Sequence, residues 1–142
     1  MTEKTREVAR RLVEDVINAG DLDAFDELVS PAYVDRSDPG ATYGRDDYRE
    51  QIVATRRVFP DLRMSIEDEV VDGDRVALRL RWQATLRGRF MGVEGTGQRI
   101  DVTAIGILRV EDGRLVERWN ETDVLGMLQQ LGALPAGLGT PG

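Results

Sequence analysis

The residues best suited to chemistry lie near the end of the chain, where acids alternate with an aromatic side chain. Period-2 alternation predicts that Leu115, Glu117, Trp119, Glu121 and Asp123 share one face of a strand. A protein core does not need three carboxylates, and a solvated face does not need a tryptophan. A strand that lines a pocket can use both. The alternative is a rim strand with the tryptophan packed inward and the acids in water.

Proton transfer in this chain must rely on Asp, Glu, Tyr, Lys or Arg, or on a cofactor, because the sequence contains no histidine and no cysteine. Disulfides, thiolate zinc sites, cysteine nucleophiles and serine–histidine relays are therefore excluded. A carboxylate in an apolar cavity has a raised pKa and can act as a general acid or base. Asp123 is the first candidate, although it could instead cap the following helix. Asp35 and Glu121 are further candidates, and Asp35 could instead accept hydrogen bonds within a loop.

Large apolar side chains could form the wall of a pocket for a small hydrophobic molecule. The candidates for ligand binding are Tyr33, Tyr48, Trp82, Phe90, Met91 and Trp119. For each of them, packing in the core is the alternative. Arginines on the predicted strands could pair with Asp101 or Glu117 across the sheet, or steer an anionic substrate.

The composition indicates one acidic globular domain. The chain has 142 residues, a net charge of −7 and 41% hydrophobic residues. An acidic balance disfavours nucleic acid as a partner, and no run approaches the roughly 18 apolar residues of a membrane span. The first residues lack the apolar core of a signal peptide, so we expect a cytoplasmic protein with no membrane partner. We place the domain at residues 1–133 and a loose Gly/Pro-rich tail at 134–142.

Hydrophobic periodicity predicts an α+β fold. Apolar spacings of three and four indicate helices at 3–19, after Asp21, at 45–59 and at 124–131, and a short extended piece lies at 32–35. Alternation with period two then predicts long strands at 62–71, 76–87, 100–110 and 115–122, with a loop at 36–40 and another at 88–97. The order predicts about three N-terminal helices and a short C-terminal helix on one face of a curved antiparallel sheet.

Several segments together carry a family resemblance. They lie at 18–28, 33–35, 59–63, 72–77, 90–93, 112–119 and 123–132, and include Asn18-Ala19-Gly20-Asp21 and Asp123-Val124-Leu125-Gly126. On these segments the chain resembles the SnoaL-like polyketide cyclase family, within the nuclear transport factor 2-like superfold, over about residues 6–133. The resemblance implies a cone-shaped α+β barrel around an apolar pocket, and a homodimer formed through the outer face of the sheet.

The resemblance also implies an activity. Characterised members close a ring by intramolecular aldol condensation without a cofactor or metal, using a late aspartate as acid and base. Asp123 matches that acid, with Asn120 and Glu121 as nearby alternatives. Relatives often have histidines where this chain has Arg36 and, approximately, Arg87. Either one carboxylate handles the proton alone, or the substrate differs, or the protein has no catalytic role.

Three functions therefore remain open. The first is a cofactor-free cyclase or isomerase acting on an apolar carbonyl compound. The second is a protein that binds a small hydrophobic molecule without turning it over. The third is an epoxide-opening enzyme, as in some relatives of this fold that use an Asp-Arg-Asp set; here Arg79 or Arg99 would act with Asp101 and Asp123.

Overall fold

The computed structural model describes residues 2–134 and begins with a long helical segment. Helix α1 (Thr2–Arg11) continues as a π-helix (Leu12–Asn18), and their apolar side chains pack into the core. The predicted helix at 3–19 is therefore confirmed, with the wider π geometry in its second half. Helix α2 (Leu22–Leu28) begins at Asp21, whose side chain accepts a hydrogen bond from the Ala24 amide, as its N-cap position predicts.

The remaining elements follow in the predicted order, with three short strands that were not predicted: one before the third helix and two inside the predicted loop at 88–97. They are β1 (Val29–Asp38), β2 (Ala41–Tyr43), α3 (Arg45–Val58), β3 (Arg63–Asp72), β4 (Arg75–Thr85), β5 (Arg89–Phe90), β6 (Val93–Glu94), β7 (Arg99–Glu111), β8 (Arg114–Thr122) and α4 (Val124–Gln130). Strand β1 is longer than predicted and includes part of the predicted loop at 36–40, because it pairs with two neighbouring strands. The predicted tail, apart from residue 134, lies outside the described residues.

Six strands form one curved sheet in the order β2-β1-β8-β7-β4-β3, and the short β5 and β6 form a separate hairpin. The sheet is mixed, because β1 runs parallel to β8 while the other neighbours are antiparallel. It does not close, because the edge strands β2 and β3 do not pair with each other. The prediction of an α+β fold with helices on one sheet face is confirmed, and the fully antiparallel sheet is corrected in this one pairing.

Strand β7 shows which face of the sheet is inside. Its side chains alternate between buried and exposed along nearly its whole length, with Ile100 and Leu108 inward and Ile105 and Ile107 outward. The inward face packs against the N-terminal helices and α3 in one cluster, and against α4 in a second cluster that includes Phe59. No helix in the described part of the chain is long and apolar enough to cross a membrane.

A β-bulge in β8 reverses the faces that sequence alternation predicts. Val110 of β7 pairs with Leu115, but the preceding Arg109 pairs with Glu117, so Val116 is an extra residue. Leu115 is fully buried, and beyond the bulge the inward positions are even-numbered. The predicted period is observed beyond the bulge, but the predicted common face of Leu115 and Trp119 is wrong.

Candidate functional site

The curved sheet and the helices enclose a small cavity of about 120 Å³. Its wall is mainly apolar and comes from the π-helix, α3 and the inward face of strands β3, β4 and β7. Its polar or polar-tipped lining side chains are Tyr48, Gln51, Thr55, Trp82, Arg118, Asn120 and Thr122. Gly106 also lies in the wall. A Cβ at this position would lie only 3.2 Å from the Asn120 amide oxygen, which is a crowded contact. A cavity of this size accommodates about one aromatic ring.

Two hydrogen-bond donors in the cavity wall have no partner in the described part of the chain. They are the Tyr48 hydroxyl and the Trp82 indole Nε1, and both atoms are buried. A buried donor without an acceptor destabilises a protein by about 1–3 kcal/mol, and native proteins leave few of them. The side chains that carry these two donors line the same cavity.

A buried ion pair lies beside the Tyr48 ring. The Asp35 carboxylate contacts the Arg118 guanidinium at 2.6 Å, because the two residues are paired on the parallel strands β1 and β8. Asp35 also accepts hydrogen bonds from the Tyr33 hydroxyl at 2.7 Å and from the Ser37 amide at 2.9 Å. The Arg118 guanidinium lies 4.7 Å from the centre of the Tyr48 ring, in cation–π geometry.

These contacts determine how the cluster is charged. Burial opposes the charged form of Asp35, but the Arg118 cation and the hydrogen bonds from Ser37 and Tyr33 outweigh it, so the pKa of Asp35 lies below its usual value. Burial raises the pKa of the Tyr33 and Tyr48 hydroxyls, which stay protonated as donors. Burial lowers the pKa of Arg118, but the tyrosines and Asp35 more than offset this, and the net shift is upward.

The cavity adjoins an acidic opening, a groove of about 640 Å³ between β1, β2 and α3. We define this opening by its carboxylates, Asp35, Asp38, Asp47 and Glu50. It shares four lining residues with the cavity: Tyr48, Gln51, Arg118 and Asn120. The buried ion pair therefore lies where the cavity meets this opening.

The cavity also adjoins a basic opening, a groove of about 610 Å³ on another side of α3. We define it by Arg57, Arg89, Phe90, Met91 and Val124. It shares four lining residues with the cavity: Gln51, Thr55, Trp82 and Thr122. In the part of the chain that the structure describes, Gln51 lines the cavity and both openings.

Comparison with known proteins identifies the family. A model of the SnoaL-like polyketide cyclase family matches residues 7–131. The chain belongs to this family. A search of curated protein sequences finds no match for this SnoaL-like protein.

Solved structures share the fold over nearly the whole chain. TsrD from Streptomyces laurentii is 28% identical with a TM-score of 0.85, and the match covers 94% of this chain and 98% of TsrD. AclR from Streptomyces galilaeus, a proposed hydroxylase, is 31% identical with a TM-score of 0.85 over 95% and 100% of the two chains. IdmH from Streptomyces antibioticus, a proposed polyketide cyclase, is 34% identical with a TM-score of 0.81 over 90% and 98%. One SnoaL-like fold is thus described with two different reactions, so the reaction must be argued from the site.

The structure brings five of the predicted site residues to the cavity or its openings. Tyr48 and Trp82 line the cavity, Phe90 and Met91 line the basic opening, and Asp35 lines the acidic opening. Tyr33 does not line the cavity but supports it, because its ring stacks on Tyr48 at 5.2 Å and its hydroxyl binds Asp35.

The structure places the other three predicted site residues elsewhere. Glu121 is exposed, and Trp119 lies on the same outward face of strand β8. The Arg75 guanidinium lies 5.7 Å from the centre of the Trp119 ring. Asp123 is exposed and accepts a hydrogen bond from the Gly126 amide at 2.9 Å, which is the capping alternative. The acids of the final strand thus do not face the cavity of this SnoaL-like protein, which corrects the predicted orientation.

The proposed Asp-Arg-Asp set is not assembled. Asp101 lies outside the cavity, where it forms a two-point ion pair with Arg81 of the adjacent strand. Asp123 is at the helix cap, and neither acid lines the cavity. Glu117 pairs with Arg36 and Arg109, as the cross-strand alternative predicts.

Sequence reasoning missed Arg118 and Gln51 as residues of the site, and it offers Asn120 only as an alternative position for the family acid. Strand alternation alone places Arg118 and Asn120 on the face opposite Trp119, and the bulge at Val116 exchanges the two faces. Gln51 lies beside Ile52 and Tyr48 in α3 and shows no distinguishing pattern. The only sequence signal for Arg118 is its position in the strand alternation. That position predicts an inward side chain only when the bulge is known.

Proposed function

We propose that this SnoaL-like protein binds a small, largely apolar carbonyl compound in the cavity and promotes its enolisation, as in a cofactor-free cyclase or isomerase. The observation that carries the proposal is the pair of unpartnered buried donors, Tyr48 Oη and Trp82 Nε1, on two side chains that line the same cavity. A carbonyl oxygen is a neutral acceptor that needs such donors, and the charge on an enolate oxygen strengthens both hydrogen bonds.

The proposed reaction is balanced without a co-reactant. A base takes the proton from the carbon beside the carbonyl, and the electron pair of that C–H bond becomes the enolate. The enolate carbon then forms a C–C bond to a second carbonyl of the same molecule. The oxygen of that second carbonyl receives the proton back, and in an isomerase the proton returns to a different carbon instead.

Asp35 is the predicted catalytic carboxylate that borders the site, and we assign it the role of the base. It lines the acidic opening, beside Tyr48 and Arg118, and its lowered pKa keeps it ionised at neutral pH. A low pKa also makes it a weak base. Stabilisation of the enolate oxygen by the two donors must therefore supply most of the rate enhancement.

Binding can be tested with acetophenone against ethylbenzene, which has a similar shape and no carbonyl. Wild-type protein is expected to prefer acetophenone in calorimetric titration. Tyr48→Phe and Trp82→Phe each remove one donor and should weaken acetophenone binding up to about tenfold, with ethylbenzene unaffected. Trp119→Phe is the matched control, because Trp119 does not line the cavity. Equal affinity of wild type for the two probes would refute the carbonyl site.

Catalysis can be tested without the natural substrate. Enolisation exchanges the methyl protons of acetophenone for deuterium in D₂O, and NMR measures the exchange rate. We expect exchange above the buffer rate in wild type, slower exchange in Tyr48→Phe, and none above buffer in Asp35→Asn. Asp35→Asn leaves Arg118 unpaired, so the fold of this variant must be checked by circular dichroism. If Asp35→Asn does not fold, Tyr48→Phe still tests the site.

A second candidate is a protein that binds the same ligand without turning it over. The observations that favour it are the three hydrogen bonds that Asp35 already accepts and the neutral side chains of Asn120 and Thr122 where β8 faces the cavity. Carbonyl-selective binding with proton exchange at the buffer rate would support this candidate. Native mass spectrometry of protein purified from its own host would then reveal an unchanged ligand.

The homodimer is also a proposal, and its interface is the outward sheet face. Ile105 and Ile107 are 58% and 40% exposed on the central strand β7, which is unusual for isoleucine. Ile107→Glu should shift the protein from dimer to monomer in sedimentation analysis, whereas Val70→Glu on the edge strand should not. A cytoplasmic location remains a prediction.

A further inference from the structure

The two openings of the cavity differ in charge. Four carboxylates line the acidic opening, where the Arg118 cation is already paired with Asp35. Arg57 and Arg89 line the basic opening, and no acidic side chain lines it among residues 2–134. A ligand that spans the cavity therefore meets potentials of opposite sign at its two ends.

Both arginines of the basic opening are available to a ligand. Arg57 forms no ion pair within the described part of the chain. Arg89 pairs with Glu94 at 2.9 Å, but the two side chains are 69% and 71% exposed. Such an exposed pair contributes little, so an incoming anion can replace Glu94 at low cost.

The wall of the basic opening is apolar and unusually exposed. Met91 is 55% exposed and Val124 is 38% exposed. Met91 has φ 49° and the following Gly92 has φ 78° in the turn of the β5–β6 hairpin. Asn, Asp or Gly normally occupies the first of these positions, because the left-handed backbone disfavours other side chains. Methionine there brings an apolar side chain to the opening despite a strained backbone.

The size of the cavity indicates that a ligand extends beyond it. About 120 Å³ holds one ring, whereas the adjoining basic opening has about 610 Å³. Trp82 lines both spaces, so a ligand that fills the cavity and extends past this side chain would enter the basic opening.

We propose that the basic opening binds an anionic group at the far end of the ligand, beyond an apolar segment that covers Met91 and Val124. The ligand class is an apolar carbonyl compound with a terminal carboxylate or phosphate ester. This inference rests on the proposed function, because the carbonyl bound at Tyr48 and Trp82 fixes which end faces the arginines.

The test uses acetophenones with different para substituents: 4-acetylbenzoate, its methyl ester and 4-acetylphenyl phosphate. At low ionic strength, wild type should bind either anion about fivefold more tightly than the ester, an effect expected for two exposed arginines. Arg57→Gln/Arg89→Gln should abolish this preference and leave ester binding unchanged. Arg49→Gln/Arg63→Gln removes the same charge outside the opening and should retain the preference. The relative affinities of carboxylate and phosphate show which anion the site prefers.

The outcomes separate this inference from the proposed function. Equal binding of anions and ester by wild type would overturn the inference, as would an anion preference that survives in Arg57→Gln/Arg89→Gln. Tyr48→Phe should weaken all three probes by a similar factor. If Tyr48→Phe has no effect while the arginine variants do, the carbonyl site is wrong and the anion subsite stands.

Discussion

Two arginine–aspartate pairs of this protein have the same contact distance and opposite surroundings. Arg118 contacts Asp35 at 2.6 Å, and Arg81 contacts Asp101 at 2.6 Å. In both pairs the partners lie on neighbouring strands of one sheet. The side chains of the first pair are 16% and 8% exposed, and those of the second are 46% and 48% exposed.

The difference shows that distance does not decide what an ion pair does. Water solvates both members of the outer pair whether or not they meet, so their contact changes little. The inner pair has lost much of its hydration, and each charge depends on the other and on Tyr33 and Ser37. The inner pair, Arg118 with Asp35, is therefore suited to hold a charge beside a ligand. The outer pair, Arg81 with Asp101, lies on the solvated face of the sheet.

The largest expected effect comes from breaking the inner pair. Asp35→Ala leaves the Arg118 cation buried without a counter-charge and should lower the free energy of unfolding by about 3–5 kcal/mol. Urea denaturation measures this. The matched variant Asp101→Ala should keep the wild-type midpoint within scatter. Similar losses in the two variants would contradict the proposed contrast between the faces.

Removing both inner charges should be less harmful than removing one. In Asp35→Asn/Arg118→Met no unpaired charge remains buried, so the double variant should be more stable than the sum of the single variants predicts. We expect a coupling free energy of about 2 kcal/mol from a double-mutant cycle in urea. Additive single effects would mean that the two side chains are solvated separately.

The inner pair also illustrates what the sequence could predict. Helix spacing and strand alternation predict the elements and the α+β class, because those signals are local. The pairing of Asp35 with Arg118 joins residues 83 positions apart on parallel strands. No local pattern encodes that partner, whereas the strand pattern and the family resemblance both favour Asp123.

The bulge in β8 explains the main error in the site. Alternation tells which residues share a face, but one extra residue exchanges the faces beyond it. Val116 is ordinary in a strand, so nothing in the residue types marks it as extra. The apolar candidates Tyr48 and Trp82 were less affected, because helix α3 and strand β4 follow their expected periods.

An intermediate effect should appear in the pH dependence of stability. The folded-state pKa of Asp35 lies below its value of about 3.9 in the unfolded chain. Its stabilising contribution is therefore complete above about pH 4–5 and is lost as the pH falls through the lower, folded-state pKa. The free energy of unfolding, measured by denaturation from pH 6 to 2, should fall less steeply in Asp35→Asn than in wild type. The two slopes should differ by up to about 1.4 kcal/mol per pH unit. Identical slopes would show that Asp35 is not held ionised by its neighbours.

The smallest effect distinguishes the pairs by salt. At 1 M salt the screening length is about 3 Å, so ions screen the solvated Arg81–Asp101 pair, while Tyr33 and the strands keep ions from Asp35. The coupling measured for Arg81→Gln and Asp101→Asn should be small at 0.05 M salt and absent at 1 M. The coupling for Asp35→Asn and Arg118→Met should persist across that range. A salt-sensitive inner coupling would mean that water and ions enter from the acidic opening, and Asp35 would then be a more solvated base than its buried position indicates.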